Sequence, residues 1–238
     1  MNSNFLWAQL LKISSKQVEL LGKIGYNREK RKCQKGDVFM YNVITIERRY
    51  ASGGNEIGRR LAKELGYKLY DRNILVEAAK ELDVPYVKVE GIEESSSGGV
   101  LLNLSKTPLG GLSGNKNLPL AEQLFLVEKR IIEEAAREGN CVIVGRASGY
   151  ILRQMENSLR VFIYADHEKR IQRAIEREGI QNSEAENALK RNDKRRSGFY
   201  NSVTGQEWSD PKGYELYLNA GKLGIDLCVR LLMEAAKG

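Results

Sequence analysis

The sequence predicts a three-layer α/β fold built on a mostly parallel five-stranded sheet. Three observations predict it. From residue 41 onward, short apolar runs alternate with longer segments of helical period. Strands that alternate with helices pair most simply as a parallel sheet covered on both faces. A turn of small residues, Ser52-Gly53-Gly54, joins the first apolar run to the first helical segment. The length of 238 residues suits one large domain carrying an inserted segment.

The elements follow in order. Residues 43–47 read as a buried first strand. Ile57, Leu61 and Leu65 mark the apolar face of a helix that Gly66 closes. Residues 67–71 form a short second strand, and 72–82 a helix that stops before Pro85. Residues 91–118 are rich in Gly, Ser and Asn and read as a long loop, the larger part of an insertion at about 85–118. Pro119 starts a strong helix to Glu138. The runs 141–145 and 159–165 are buried strands. Asp166 caps a charged helix to Glu178, a polar helix covers about 183–199, 214–220 is the last strand and 223–236 the last helix.

Composition excludes several classes. No apolar run is long enough to span a bilayer. Cys33, Cys141 and Cys228 are odd in number and widely spaced, which makes neither a disulfide framework nor a metal pattern and fits a reducing cytoplasm. The single histidine, His167, argues against a histidine-built metal site or triad. Residues 1–40 carry +5 of the net +7, so the body has no basic stripe and nucleic-acid binding is not expected. Residues 1–39 read as an extension outside the packed domain of 40–238. The expectation is that Met40 is the natural start: the charge bias, the weak periodicity and a ribosome-binding sequence encodable by Lys35-Gly36-Asp37 all point there.

The chemistry concentrates in three segments. Residues 48–60, RRYASGGNEIGRR, have the frame of a phosphate-binding loop, in which backbone N–H groups and a helix N-terminus converge on an anion. A plain Gly-rich turn is the alternative on spacing alone. Against the usual lysine-bearing pattern, Asn55 stands at the lysine and Ile57 at the metal-holding hydroxyl. Arg146 ends the 141–145 strand, at the sheet edge where ligands bind in such folds. The run 188–200, ALKRNDKRRSGFY, holds a basic cluster in which Asp193 and Arg196 share a helix face; a solvated charge run is the alternative.

Taken together, TIERRYASGGNEIGRRLAKELGYKLYDRNIL, CVIVGRASGYIL and DKRRSGFYNSVTGQEWSDPKGYELYLNAGKLGID resemble, in that order, the cytidylate-kinase-like family of P-loop nucleoside monophosphate kinases. The resemblance runs from about Tyr41 to the C-terminus and is loosest over 91–118. It implies ATP-dependent phosphoryl transfer to a nucleoside monophosphate, CMP or dCMP by family default, with Mg²⁺, in a P-loop kinase fold with an acceptor-binding insertion and a helical lid at about 183–205.

By the resemblance, Arg48, Ser52, Gly53, Gly54, Asn55, Glu56, Ile57 and Gly58 bind the ATP phosphates. Asp71, Arg72 and Arg146 place the acceptor, and Arg191, Asp193 and Arg196 carry the transfer from the lid. No residue is assigned to the metal. Arg170 and Arg173 belong either at the lid base or in surface pairs with Glu176 and Glu178, and Asp71 serves equally as a helix cap. The family tends to carry a cation where this chain has Asn55, so Asn55→Arg or Asn55→Lys is expected to raise transfer. A kinase of another small acceptor and a nucleotide-binding protein of little turnover stay open as alternatives. Nucleotides are the expected partners, with no membrane and a monomer or homodimer as the assembly.

Overall fold

The computed structural model describes residues 40–89 and 118–237. The 1–39 extension and most of the 85–118 insertion lie outside the described residues. Five strands form the sheet: β1 (Val43–Arg48), β2 (Lys68–Tyr70), β3 (Cys141–Val144), β4 (Ser158–Tyr164) and β5 (Leu216–Asn219). Their order is β2-β3-β1-β4-β5, and every pair is parallel. The helices are α1 (Gly54–Leu65), α2 (Asn73–Glu81), α3 (Leu120–Glu138), α4 (Ser148–Ile151), α5 (His167–Glu178), α6 (Asn182–Thr204), α7 (Ala220–Leu223) and α8 (Ile225–Lys237). None of the described helices is long and apolar enough to cross a membrane.

Alternation along the strands builds the layers, because successive side chains point to opposite faces. Ile44 and Ile46 of β1, Val142 and Val144 of β3, and Val161 and Ile163 of β4 face α1 and α8, meeting Ile57, Leu61, Val229 and Leu232. Val43, Cys141, Ile143 and Phe162 face the other way, onto α2, α3 and α4, and meet Ile74, Phe125, Ile132 and Trp208. Removing one such fully buried aliphatic side chain from water contributes roughly 1.5–3 kcal/mol. Helix α1 sits close on the sheet: a Cβ at Gly58 would stand 2.8 Å from Val144 Cγ2.

Several boundaries differ from the sequence reading for local reasons. Helix α1 starts at Gly54 rather than at the first apolar position, because Gly53 takes φ 90° and turns the chain into the helix. The polar helix α6 runs to Thr204 and stops at Gly205 in the left-handed conformation. Asp166 does not cap α5 with its side chain; its Oδ1 accepts from Asn219 Nδ2 at 3.0 Å, which ties β5 to the start of α5. The short helices α4 and α7 escape a period-based reading because four residues carry no period.

Candidate active site

Parallel strands deliver their C-terminal ends to one edge, and there the loop begins. The register pairs Ile46 with Val144, so Arg48 ends β1 beside the turn that follows β3 and carries Arg146. Residues 49–53 then fold back on themselves. Ser52 Oγ donates to Arg49 O at 2.8 Å and lies 3.2 Å from Ile163 O, which commits the hydroxyl to the turn. The first intrahelical bond of α1 is Ile57 N–H to Gly53 O, 2.9 Å. The N–H groups of Gly54, Asn55 and Glu56 precede it and form the positive end of the helix.

Arg48 leaves β1 and crosses the start of α1. A Cβ on Gly54 would stand 2.5 Å from Arg48 Cβ, so only glycine permits the crossing. Arg48 Nε donates to Asn55 Oδ1 at 2.8 Å, and the guanidinium ends against Gly145. Gly145, Arg146 and Ala147 are all left-handed, with φ 84°, 63° and 51°. This strained turn is held by Glu47, a carboxylate 5% exposed that accepts the Ala147 N–H at 3.2 Å and the Trp208 indole N–H at 3.0 Å. The turn carries Arg146 inward, where Nη1 lies 3.4 Å from Glu128 Oε1 and the guanidinium lies 5.8 Å from the Phe199 ring.

Helix α6 closes the other side. Asp193 accepts the Tyr50 N–H at 2.8 Å and Arg170 Nη2 at 2.7 Å, and pairs with Arg49 Nη1 at 3.3 Å. Arg170 Nε also donates to Tyr50 O at 2.8 Å. Arg196 Nη1 donates to Arg48 O at 2.9 Å and its guanidinium lies 5.6 Å from the Tyr50 ring. The result is a group of cations at one end of the sheet. Burial pushes the Arg48, Arg146 and Arg196 guanidinium pKa values down, and like charge from Arg195 pushes all three further. Arg146 falls to about 9 and stays charged at neutral pH. Burial pushes the Glu128 carboxyl up to about 8, while the nearby Arg146 pulls against that rise.

The structure thus gathers Arg48, Asn55, Arg146, Asp193 and Arg196 around the loop. Asp71 and Arg72 stand at the rim, felt by Arg48 as opposing charges; Asp71 also accepts the Asn73 N–H at 3.3 Å from one residue before the N-cap, Arg72. Several other assigned residues have side chains committed elsewhere. Arg191 is exposed: five residues from Arg196, it lies about 140° round the helix, and its charge still pulls down the Tyr50 pKa, which burial raises. The oxygens of Asp193 hold the loop to α5 and α6. Ser52 is locked in its turn, and Ile57 and Gly58 pack on the sheet. Gly53 faces Ile225 and Arg173, leaving Gly54 at the crossing. Glu56 pairs with Arg173 at 2.5 Å, which lowers its carboxyl pKa. Arg170 and Arg173 therefore brace the loop rather than pairing with Glu176 and Glu178.

Two residues were missed by sequence reasoning, Glu47 and Glu128. Glu47 had a signal, a carboxylate inside an otherwise apolar strand; Glu128 had a weaker one, an acid close to the apolar face of α3. A hollow of about 180 Å³ at the opposite end of the strands, among Tyr41, Arg153, Ser158 and Glu215, is remote from the loop. Its Arg160 is already paired with Glu215.

Comparison with known proteins gives the family. The profile of the Cytidylate kinase-like family matches residues 43–222, strand β1 through helix α7. The chain belongs to the cytidylate kinase-like family. Among its relatives, the cytidylate kinase of Thermococcus kodakarensis is 27% identical over 185 residues, covering 77% of this chain and 82% of the relative. That of Methanopyrus kandleri is 24% identical over 202 residues, covering 81% and 92%. A crystal structure of an uncharacterized protein from Eubacterium ventriosum superposes with a TM-score of 0.62 at 23% identity, covering 82% of this chain and 98% of that one. The fold is that of a three-layer α/β kinase, and family membership makes the protein a kinase of nucleotide type.

Proposed function

We propose that the protein transfers the γ-phosphoryl group of ATP to a nucleoside monophosphate, with CMP and dCMP first among acceptors. The observation that carries this reading is the arginine cluster in front of the α1 N-terminus. Arg48, Arg146, Arg195 and Arg196 repel one another, and a multiply charged phosphate chain relieves that repulsion. The relatives' names supply the acceptor class.

In this reading the N–H groups of Gly54, Asn55 and Glu56 hold the ATP phosphates. Arg146 holds the acceptor phosphate, with Asp71 and Arg72 at the rim. An oxygen of the acceptor phosphate attacks the γ-phosphorus. The new P–O bond forms as the bond to the β–γ bridging oxygen breaks, and ADP leaves with that electron pair. The residues' task is alignment and charge stabilisation. Mg²⁺ would arrive with the nucleotide. Among the described residues no three His, Cys, Asp or Glu side chains gather to bind a metal, and position 57 is the fully buried Ile57. These residues do not fit a protein-held metal site, and no step is assigned to it.

The test is a coupled ADP-release assay with MgATP against CMP, dCMP, UMP, AMP and GMP. Turnover with a cytidine monophosphate at least tenfold above the others is expected. Binding of ATP without turnover on any acceptor would overturn the kinase reading in favour of a nucleotide-binding protein, the reading that Asn55 and Ile57 favour. Turnover confined to an acceptor outside the nucleotides would move the chain to another substrate class.

A further inference from the structure

The loop carries Asn55 where a phosphate loop has lysine, and the geometry around it is not that of a simple loss. Asn55 is exposed at the second position of α1, yet its amide oxygen is turned to accept Arg48 Nε at 2.8 Å. Arg48 comes from the end of β1. Its stem lies across Gly54, where a Cβ would stand 2.5 Å from Arg48 Cβ and 2.8 Å from Cγ. Its guanidinium reaches Gly145, immediately before the acceptor-side Arg146. The cation therefore stands between the helix end that faces the donor and the turn that faces the acceptor. Asn55 holds one edge of the fork, and no other hydrogen bond of the side chain is made among the described residues.

We propose that Arg48 is the catalytic residue that contacts the transferring phosphoryl group, in the electrostatic place of the absent lysine, with Asn55 as its positioning residue. The inference rests on the kinase reading above and deepens it. Arg48 transfers no atom. It stays protonated and faces the equatorial oxygens while the acceptor oxygen bonds to phosphorus and the bridging oxygen departs. A planar guanidinium presents two parallel donors to a phosphoryl group, and a fixed donor of this kind acts most strongly where charge develops.

The two positions act as a matched pair. A neutral amide at position 55 accepts from Arg48; an ammonium there would repel it. Asn55 is thus the complement of Arg48, and adding a cation at position 55 is expected to harm transfer. This reverses the effect expected from loop spacing, which treats the position alone.

The experiment compares wild type with Arg48→Met, Arg48→Lys, Asn55→Ala, Asn55→Lys and the double variant Arg48→Met/Asn55→Lys. It measures kcat and KM with saturating MgATP and CMP, calorimetric ATP binding, and Tm. Arg48→Met is expected to lower kcat about a hundredfold or more, and Arg48→Lys to recover part of it. Asn55→Ala and Asn55→Lys should each lower kcat about tenfold with Tm unchanged, as expected of an exposed position. The double variant should exceed Arg48→Met alone, because the cation then returns by the lysine's own route.

Wild-type turnover that Arg48→Met leaves intact, or that Asn55→Lys raises, overturns the inference and leaves the kinase reading standing. A wild type that turns over no monophosphate overturns the kinase reading. In that case ATP binding decides the charge assignment: a tenfold loss in Arg48→Met keeps Arg48 as the phosphate cation, and unchanged binding overturns it as well.

Discussion

Glu47 and Arg146 are coupled through three backbone residues. Left-handed conformations at Arg146 and Ala147 each cost about 1–2 kcal/mol, and the Glu47 carboxylate offsets part of that by taking the Ala147 N–H. Glu47→Gln presents an NH₂ group to one of two buried donors, so a loss of about 1–3 kcal/mol is expected. That corresponds to a Tm drop of roughly 3–10 °C for a chain of this size, read by thermal denaturation. Arg146→Ala is expected to raise the acceptor KM or lower kcat by about tenfold to a hundredfold, a loss of about 1.4–2.8 kcal/mol. An unchanged acceptor KM and kcat would remove Arg146 from the acceptor site.

Glu128 gives a pH dependence at the same scale. Its carboxyl pKa rises on folding to about 8, so the folded chain binds the proton more tightly than the unfolded one. This group's contribution is fully present below the usual carboxylate range and declines as pH climbs towards 8. Arg146 offsets part of the decline. Glu128→Gln fixes the neutral form and is expected to flatten the fall in stability between pH 5 and pH 9 by about 1–2 kcal/mol. Denaturant midpoints at the two pH values check it, and a variant with the same slope as wild type would show that the carboxyl ionises freely.

At the scale of elements, the loop is held by α5 and α6 as well as by its own turn. Asp193 joins α6 to the Tyr50 amide and to Arg170 of α5, whose side chain is only 7% exposed. Asp193→Ala leaves that cation buried without its carboxylate. The expected loss is about 2–3 kcal/mol, or roughly 5–10 °C in Tm, with a raised KM for ATP as the loop loosens. Stability and ATP KM both at wild-type values would mean that the two helices do not brace the loop. The buried thiols of β3 and α8 make a separate prediction. Burial raises the thiol pKa of Cys141 to about 12 and of Cys228 to about 11. Neither is a thiolate at pH 8, so native Ellman labelling should miss both and denaturant should expose both.

For the whole molecule, the cluster at the strand ends gathers like charges that repel one another. Phosphate at the ionic strength of a chloride control is expected to raise Tm, and a bisubstrate analogue at a hundred times its Kd to add about 2.7 kcal/mol, roughly 5–10 °C. Differential scanning fluorimetry reads both. An equal phosphate gain in wild type and Arg146→Ala would place the effect away from the cluster.

The sequence by itself determined the layers and the loop. Short apolar runs such as Cys141-Val142-Ile143-Val144 mark strands buried on both faces, and Gly54 before Ile57 and Leu61 marks a tight entry into a helix. Those features are local, since each depends on residues a few positions apart. Which cations meet was decided only by tertiary structure. Arg48, Arg146 and Arg196 are far apart in the chain. They converge because β1 lies beside β3 with Ile46 level with Val144, and because Asp193 and Arg196 on one face of α6 fasten it to the loop. The same cause separates Arg191 from Arg196 despite their shared basic run: a helix turns one to the loop and the other to solvent. Spacing showed that lysine was missing from position 55. Only the fold, by bringing the end of β1 over the start of α1, showed an arginine held by the residue in its place.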